Sequence, residues 1–114
     1  MDIFRCDIVE VNKKSPDTIL LSDLEAQRVA ELFSVLGDAS RVKIIAALLD
    51  NPMNVQALAD TVGITPSAIS HHMRSLRQMQ LVRSEKLGRQ VFYSLDDQHV
   101  EQLFLRGVDH VLHG

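Results

Sequence analysis

The residues with the most chemistry in this chain sit at its end. The segment DDQHVEQLFLRGVDHVLHG, residues 96–114, holds three of the five histidines, and Asp97 stands two positions before the first of them. Imidazole and carboxylate are ligands for divalent transition metals. On a helix, His110 and His113 are three apart and share a face. His99 precedes His110 by eleven residues, which at ~1.5 Å per residue is roughly 16 Å along the axis. An ion with bonds near ~2 Å cannot span that gap. A single chain therefore offers two half-sites, Asp97 with His99 and His110 with His113. Two copies of the helix packed antiparallel would bring unlike ends together, so that each site has three imidazoles and one carboxylate. Such a set suits tetrahedral Zn(II), with Co(II) or Ni(II) also accepted, and leaves no open position for a catalytic water. The plainer alternative is solvated histidines, or histidines that favour the C-terminal end of a helix because a cation is stabilised there.

A second stretch, TPSAISHHMRSL at residues 65–76, has the composition of a helix that enters a DNA groove. Short polar side chains near the start of such a helix let its backbone approach the bases. Ser67, Ser70 and His71 fall on the face opposite Ile69 and Met73, and Arg74 lies a turn beyond, within reach of phosphate or a guanine edge. Lys86 and Arg89 follow in a hairpin and would add backbone or minor-groove contacts. His71 and His72 cannot easily share one ion, because neighbouring side chains on a helix diverge by about 100°. His71 is expected at DNA, and His72 toward the dimer body or a neighbouring helix. Taken singly, these serines and arginines are also what a capped, solvated surface helix would carry.

The elements that would hold these residues are legible from caps and periodicity. Residues 1–21 lack helical period and contain Pro16, which predicts a flexible arm, with the folded domain over 22–114. Ser22 and Glu25 have capping-box spacing ahead of a helix whose Leu24, Val29, Leu32, Phe33 and Leu36 share a face, and Gly37 ends it. A second helix over about 39–49 is expected to turn Val42, Ile44, Ile45, Leu48 and Leu49 inward, stopped by Asn51-Pro52. A short helix at 55–62, a turn at Gly63 and a helix capped by Thr65-Pro66 form a helix-turn-helix, with Ile69, Met73, Leu76 and Met79 on the buried side. LVRSEKLGRQVFYSL then reads as two strands about a Gly88-Arg89 tip, with Val82, Val91 and Tyr93 packed. Asp96 or Asp97 caps the terminal helix, whose apolar face is Val100, Leu103, Phe104, Val108 and Leu112. The fold class is mainly α with a small β-hairpin: a winged helix-turn-helix.

Composition narrows the function. The net charge of −3 hides an asymmetry: residues 65–94 carry five basic residues and one acid, a balance of +4, and the remainder carries seven basic and fourteen acidic, a balance of −7. Segregation of that kind suits a basic face on an acidic body, as in a nucleic-acid binder. No apolar run is long enough to span a bilayer, and MDIFRCDIVEVNKK lacks the order of a signal peptide. One cysteine, Cys6, excludes an intrachain disulfide, so the expected compartment is the reducing cytoplasm. There is no phosphate-cradling glycine loop and no nucleophile paired with a base motif, so no enzyme, membrane partner or small-molecule substrate is expected.

ELFSVLGDASRVKIIAALL, ALADTVGITPSAISHHMRSLRQMQLVRSEKLGRQVFYSL and the terminal helix together resemble the ArsR/SmtB family of metal-sensing winged-helix repressors, over roughly residues 24–113. The resemblance rests most on LGDASR at 36–41, SAISHH and GRQVFYSL. It implies a homodimer that binds operator DNA and leaves it when metal binds, with Ser67, Ser70 and His71 at DNA and Lys86 and Arg89 in support. It also implies a C-terminal-helix metal site of Asp-x-His…His-x-x-His form, matched by Asp97, His99, His110 and His113. One departure is informative. The region NPMNVQALAD lacks the cysteine pair of many members, which argues against a thiolate site for cadmium or lead. Cys6 is most simply a free thiol. Three other readings stand beside regulation by Zn(II): a purely structural metal, a redox signal at Cys6, and a metal-dependent hydrolase at the dimer interface.

Overall fold

The computed structural model describes residues 19–114. The expected arm therefore lies largely outside the described residues, and so does Cys6. The chain groups into two units, and the described part of the first runs over residues 19–31. There the capping box forms as expected: the Ser22 N–H donates to Glu25 Oε1 at 2.9 Å, and the Glu25 N–H donates to Ser22 Oγ at 3.1 Å. Two of the four orphan donors at the start of helix α1 (Asp23–Leu36) are thereby satisfied.

The second unit, residues 32–114, contains the core. After the end of α1 it runs α2 (Ala39–Leu48), β1 (Met53–Asn54), α3 (Val55–Val62), α4 (Pro66–Gln78), β2 (Val82–Leu87), β3 (Gln90–Leu95) and α5 (Gln98–His113). Each helix start has a side-chain acceptor for a free N–H. Asp38 caps α2, Asn54 caps α3, Thr65 caps α4 with Pro66 just behind it, and Asp97, not Asp96, caps α5. Gly63 closes α3 in the left-handed region at φ 84°, where a Cβ would be strained. That turn redirects the chain from α3 into α4.

The core is one cluster: Ile44, Ile45 and Leu48 from α2, Leu58 and Ala59 from α3, Ile69, Met73 and Leu76 from α4, then Leu81 and Val82. The i, i+4, i+7 spacing of Ile69, Met73 and Leu76 presses one side of α4 into this cluster and leaves the opposite side in solvent. Met79 is half-buried at the edge of the cluster. Leu49 and Tyr93 are likewise half-buried, and two residues expected to pack are exposed. Val42 is 38% exposed, because Ile44, Ile45 and Leu48 define the inward face of α2 and Val42 lies off it. Val91 is also 38% exposed; it shares a face of β3 with Tyr93 and Leu95, but it stands next to the hairpin tip, past the edge of the core cluster.

The sheet has three antiparallel strands in the order β1-β3-β2. β2 and β3 pair from Val82 opposite Leu95 to Leu87 opposite Gln90, leaving Gly88 and Arg89 as a two-residue turn. Gly88 has φ 65° and Arg89 does not have positive φ, the signature of a type II′ turn, whose twist suits a hairpin. β1 was not expected. Two residues are too few for any period, and Met53 and Asn54 become a strand only because Tyr93 and Phe92 of β3 lie beside them.

Candidate nucleic-acid interface and metal-ligand helix

Burial of Ile69, Met73 and Leu76 dictates what the other side of α4 presents. Ser67, Ser70, His71 and Arg74 are all exposed there. Lys86 is exposed on β2 and Arg89 stands at the hairpin tip, also exposed. The first four thus share one helix face, and the other two are carried by the wing. The two adjacent histidines part company as their spacing requires. Their rings are 5.9 Å apart and tilted by 60°. His71 faces solvent, whereas His72 Nδ1 accepts a hydrogen bond from Arg41 Nε at 3.1 Å. That nitrogen is engaged within the fold, so His72 is a structural partner of α2.

Arg41 is the residue that sequence reasoning passed over. Its guanidinium also donates to the Val35 carbonyl at 3.2 Å and to Ser75 Oγ at 3.4 Å. One planar fork therefore ties the last turn of α1, the first turn of α2 and the middle of α4. Asp38 sits beside it. The Arg41 N–H donates to Asp38 Oδ1 at 3.1 Å, and this bond, aided by the nearby His72 and the Arg41 charge, holds the carboxyl below its usual value of 3.8. The signal was present in LGDASR, whose Asp-x-x-Arg spacing is that of a cap with its first-turn partner.

Between α4 and β3 lies an open cleft of about 490 Å³ lined by Ser70, Arg74, Arg77, Gln78 and Tyr93. Two of these were foreseen at DNA. Arg77 was counted only in the basic balance, and Tyr93 was expected to be packed; it is half-buried, touching the core and lining the cleft at once.

The terminal helix α5 and its cap carry the four proposed ligands, all exposed. Asp97 Oδ1 accepts the Val100 N–H at 3.0 Å, and the second oxygen, Oδ2, lies 3.7 Å from His99 Nδ1. The cap bond is the main cause that lowers the Asp97 carboxyl below 3.8, with the neighbouring His99 adding to it. Asp97 thus caps the helix with one oxygen and leaves the other beside an imidazole. His99 is itself 85% exposed. His110 and His113 stand in the last turn. The structure brings Asp97 to His99 but does not bring that pair to His110 and His113. Among the described residues, no three His, Cys, Asp or Glu side chains of one chain are grouped to hold a metal ion. Also among them, no helix is long and apolar enough to cross a membrane.

A helix-turn-helix followed by a β-hairpin, with a solvent-facing second helix, is the architecture of a winged-helix transcriptional regulator. Residues 38–84 match the family described as bacterial regulatory protein, arsR family. The chain is 38% identical over 102 residues to the transcriptional repressor SmtB homolog of Synechocystis sp., covering 90% of this chain and 76% of that protein. It is 36% identical over 95 residues to the cadmium resistance transcriptional regulatory protein CadC homolog of Staphylococcus aureus, covering 82% and 76%. The solution structure of apo-NmtR matches at 36% identity with a TM-score of 0.71, over 85% of this chain and 82% of that one. The chain belongs to the ArsR family of bacterial regulatory proteins.

Proposed function

We propose that this protein is a metal-responsive repressor that binds double-stranded operator DNA as a homodimer. Ser67, Ser70, His71 and Arg74 of each protomer read the major groove, and Lys86 and Arg89 hold the flanking backbone. Asp97 and His99 of one protomer, with His110 and His113 of its partner, would bind Zn(II) between antiparallel terminal helices. The observation that carries this reading is the division of four exposed ligand-capable side chains between the two ends of α5, too far apart to serve one ion within a chain. The donors are nitrogen and oxygen, which suits Zn(II), with Co(II) or Ni(II) as alternatives. The cadmium in the name of the Staphylococcus aureus relative supports a metal signal in general. This chain's single cysteine supports a different donor set.

An ion shared by two chains cross-links them, so the geometry it favours is a property of the dimer. Asp97 and the three histidines, drawn to one centre, would fix the terminal helices and with them the spacing of the two α4 helices. Regulation follows if that spacing differs from the one DNA requires: metal then weakens DNA binding by the factor by which DNA weakens metal binding. Four protein ligands leave no position for a water nucleophile, which fits a sensor and not a hydrolase.

The test is a Zn(II) titration of the preformed protein–operator complex, alongside His110→Ala. Operator affinity should fall as metal saturates the wild type and stay constant in the variant, whose metal-free DNA affinity is unchanged. A metal that stabilises the protein against heat yet leaves operator affinity unaltered would make the ion structural and sink the regulatory reading.

A further inference from the structure

The cleft beside α4 has no assigned occupant, and its lining is selective. Ser70, Arg74, Arg77, Gln78 and Tyr93 supply two guanidinium groups, two hydroxyls and an amide, with no carboxylate. Both arginines are exposed and form no hydrogen bond or ion pair through their side chains among the described residues. Arg83 shows the contrast: its guanidinium is occupied by the Asp96 carbonyl at 3.1 Å. Unpaired guanidinium groups beside hydroxyl donors in a concave surface form a receptor for a phosphate-type anion.

Position identifies which anion. Ser70, Arg74 and Arg77 are spaced by four and three residues, so they form one stripe along α4. That stripe continues the Ser67, Ser70, His71, Arg74 face toward the helix C-terminus. From Ser67 to Arg77 the axial rise is roughly 15 Å, more than the width of the major groove. A helix inserted by its N-terminal end would therefore carry Arg77 out to the sugar-phosphate edge, with β3 forming the far wall. We propose that this cleft seats a backbone phosphate of the bound duplex, with Arg77 and the Tyr93 hydroxyl as contacts that set the depth and register of α4. The inference rests on the DNA-binding reading above and extends its contact surface.

The experiment measures affinity for a short mixed-sequence duplex as a function of salt, for wild type, Arg77→Gln, Tyr93→Phe and Arg106→Gln. Arg106, exposed on α5, controls for loss of one positive charge elsewhere. Tyr93→Phe keeps the ring that packs on the core. Arg77→Gln should weaken binding about equally for all duplex sequences and reduce the log–log salt slope by about 1. Tyr93→Phe should weaken binding with the slope retained, and Arg106→Gln should leave the slope as in wild type. An Arg77→Gln slope equal to that of wild type overturns the proposal. A companion titration of the DNA-free protein with inorganic phosphate, followed by amide shifts at Ser70 and Gln78, separates the other source of the same chemistry. Saturable phosphate binding with an unchanged Arg77→Gln salt slope would assign the cleft to a free anion and overturn it as well. Wild type that binds no duplex at low salt would defeat the DNA-binding reading itself, an outcome distinct from either.

Discussion

Arg41 shows how much one side chain can organise in a small fold. Its backbone N–H completes the Asp38 cap, and its guanidinium reaches Val35, His72 and Ser75. Arg41 does this while only partly buried, so its charge is screened and the hydrogen-bond geometry matters more than the Coulomb energy. Asp38 makes the arrangement sensitive to acid. Its folded pKa is depressed, first by the Arg41 N–H and then by the His72 and Arg41 side chains nearby. A depressed carboxylate contributes stability that is fully present above the unfolded value near 3.8 and is lost as pH falls through the lower folded value. Asp38→Asn keeps an acceptor at the cap but has no charge to lose. Thermal unfolding should show wild type above Asp38→Asn at neutral pH, with the gap closing in the acid region below 3.8. A gap independent of pH would mean that the carboxylate charge contributes nothing.

At the scale of elements, the boundary between α4 and β2 is the point of local strain. Gln80 has φ 59° and is the one non-glycine residue with positive φ among those described. The reason is a closing motif. The Leu81 N–H donates to the Leu76 carbonyl and the Gln80 N–H to the Arg77 carbonyl, both at 2.9 Å, which is the Schellman pattern with Gln80 in the left-handed position. Leu76 and Leu81 are both in the core, so burial holds the turn in place although glutamine opposes it. Gln80→Gly removes the Cβ penalty and should raise unfolding stability by roughly 0.5–1 kcal/mol, less the entropy glycine adds to the unfolded chain. Equilibrium denaturant unfolding measures it, and a destabilised variant would show that the Gln80 side chain has a role of its own. Sequence periodicity had no means to find this turn, because RQMQLV contains none of the residues that usually mark one.

The whole molecule is defined by what a single chain leaves uncovered. Phe33 on α1 is 56% exposed, and on α5 Leu112 is 67% and Val111 80% exposed. Neither helix has a fully buried residue, although α5 is strongly amphipathic. Apolar helix faces without a partner are what a second copy would cover. Phe33→Asp should therefore yield a monomer at concentrations where wild type sediments as a dimer, since it places a charge in the proposed interface. That monomer should keep its helical circular dichroism, because the core of α2, α3 and α4 does not use Phe33. It should also bind Zn(II) more weakly than wild type, because in the proposed arrangement each chain holds only half a site. A monomer that retains wild-type metal affinity would show that the ligands close within one chain.

Local rules determine a large part of this protein. The Ser22–Glu25 box, the Thr65-Pro66 start, the Gly63 turn and the Gly88-Arg89 tip depend on residues a few positions apart, and such short-range chemistry is written directly in sequence. The separation of His99 from His110 was equally legible, because rise per residue alone sets it. Tertiary structure decided whatever required two distant segments to meet. It paired Met53 and Asn54 with β3, sent His72 to Arg41 across 31 positions, left Val42 and Val91 exposed, and made a cleft from α4 and Tyr93. Those outcomes depend on which faces the core consumed, and the core was filled by Ile44, Ile45, Leu58, Ile69 and Leu76 acting together. No window of sequence contains that competition, since it is resolved only when all of them pack at once.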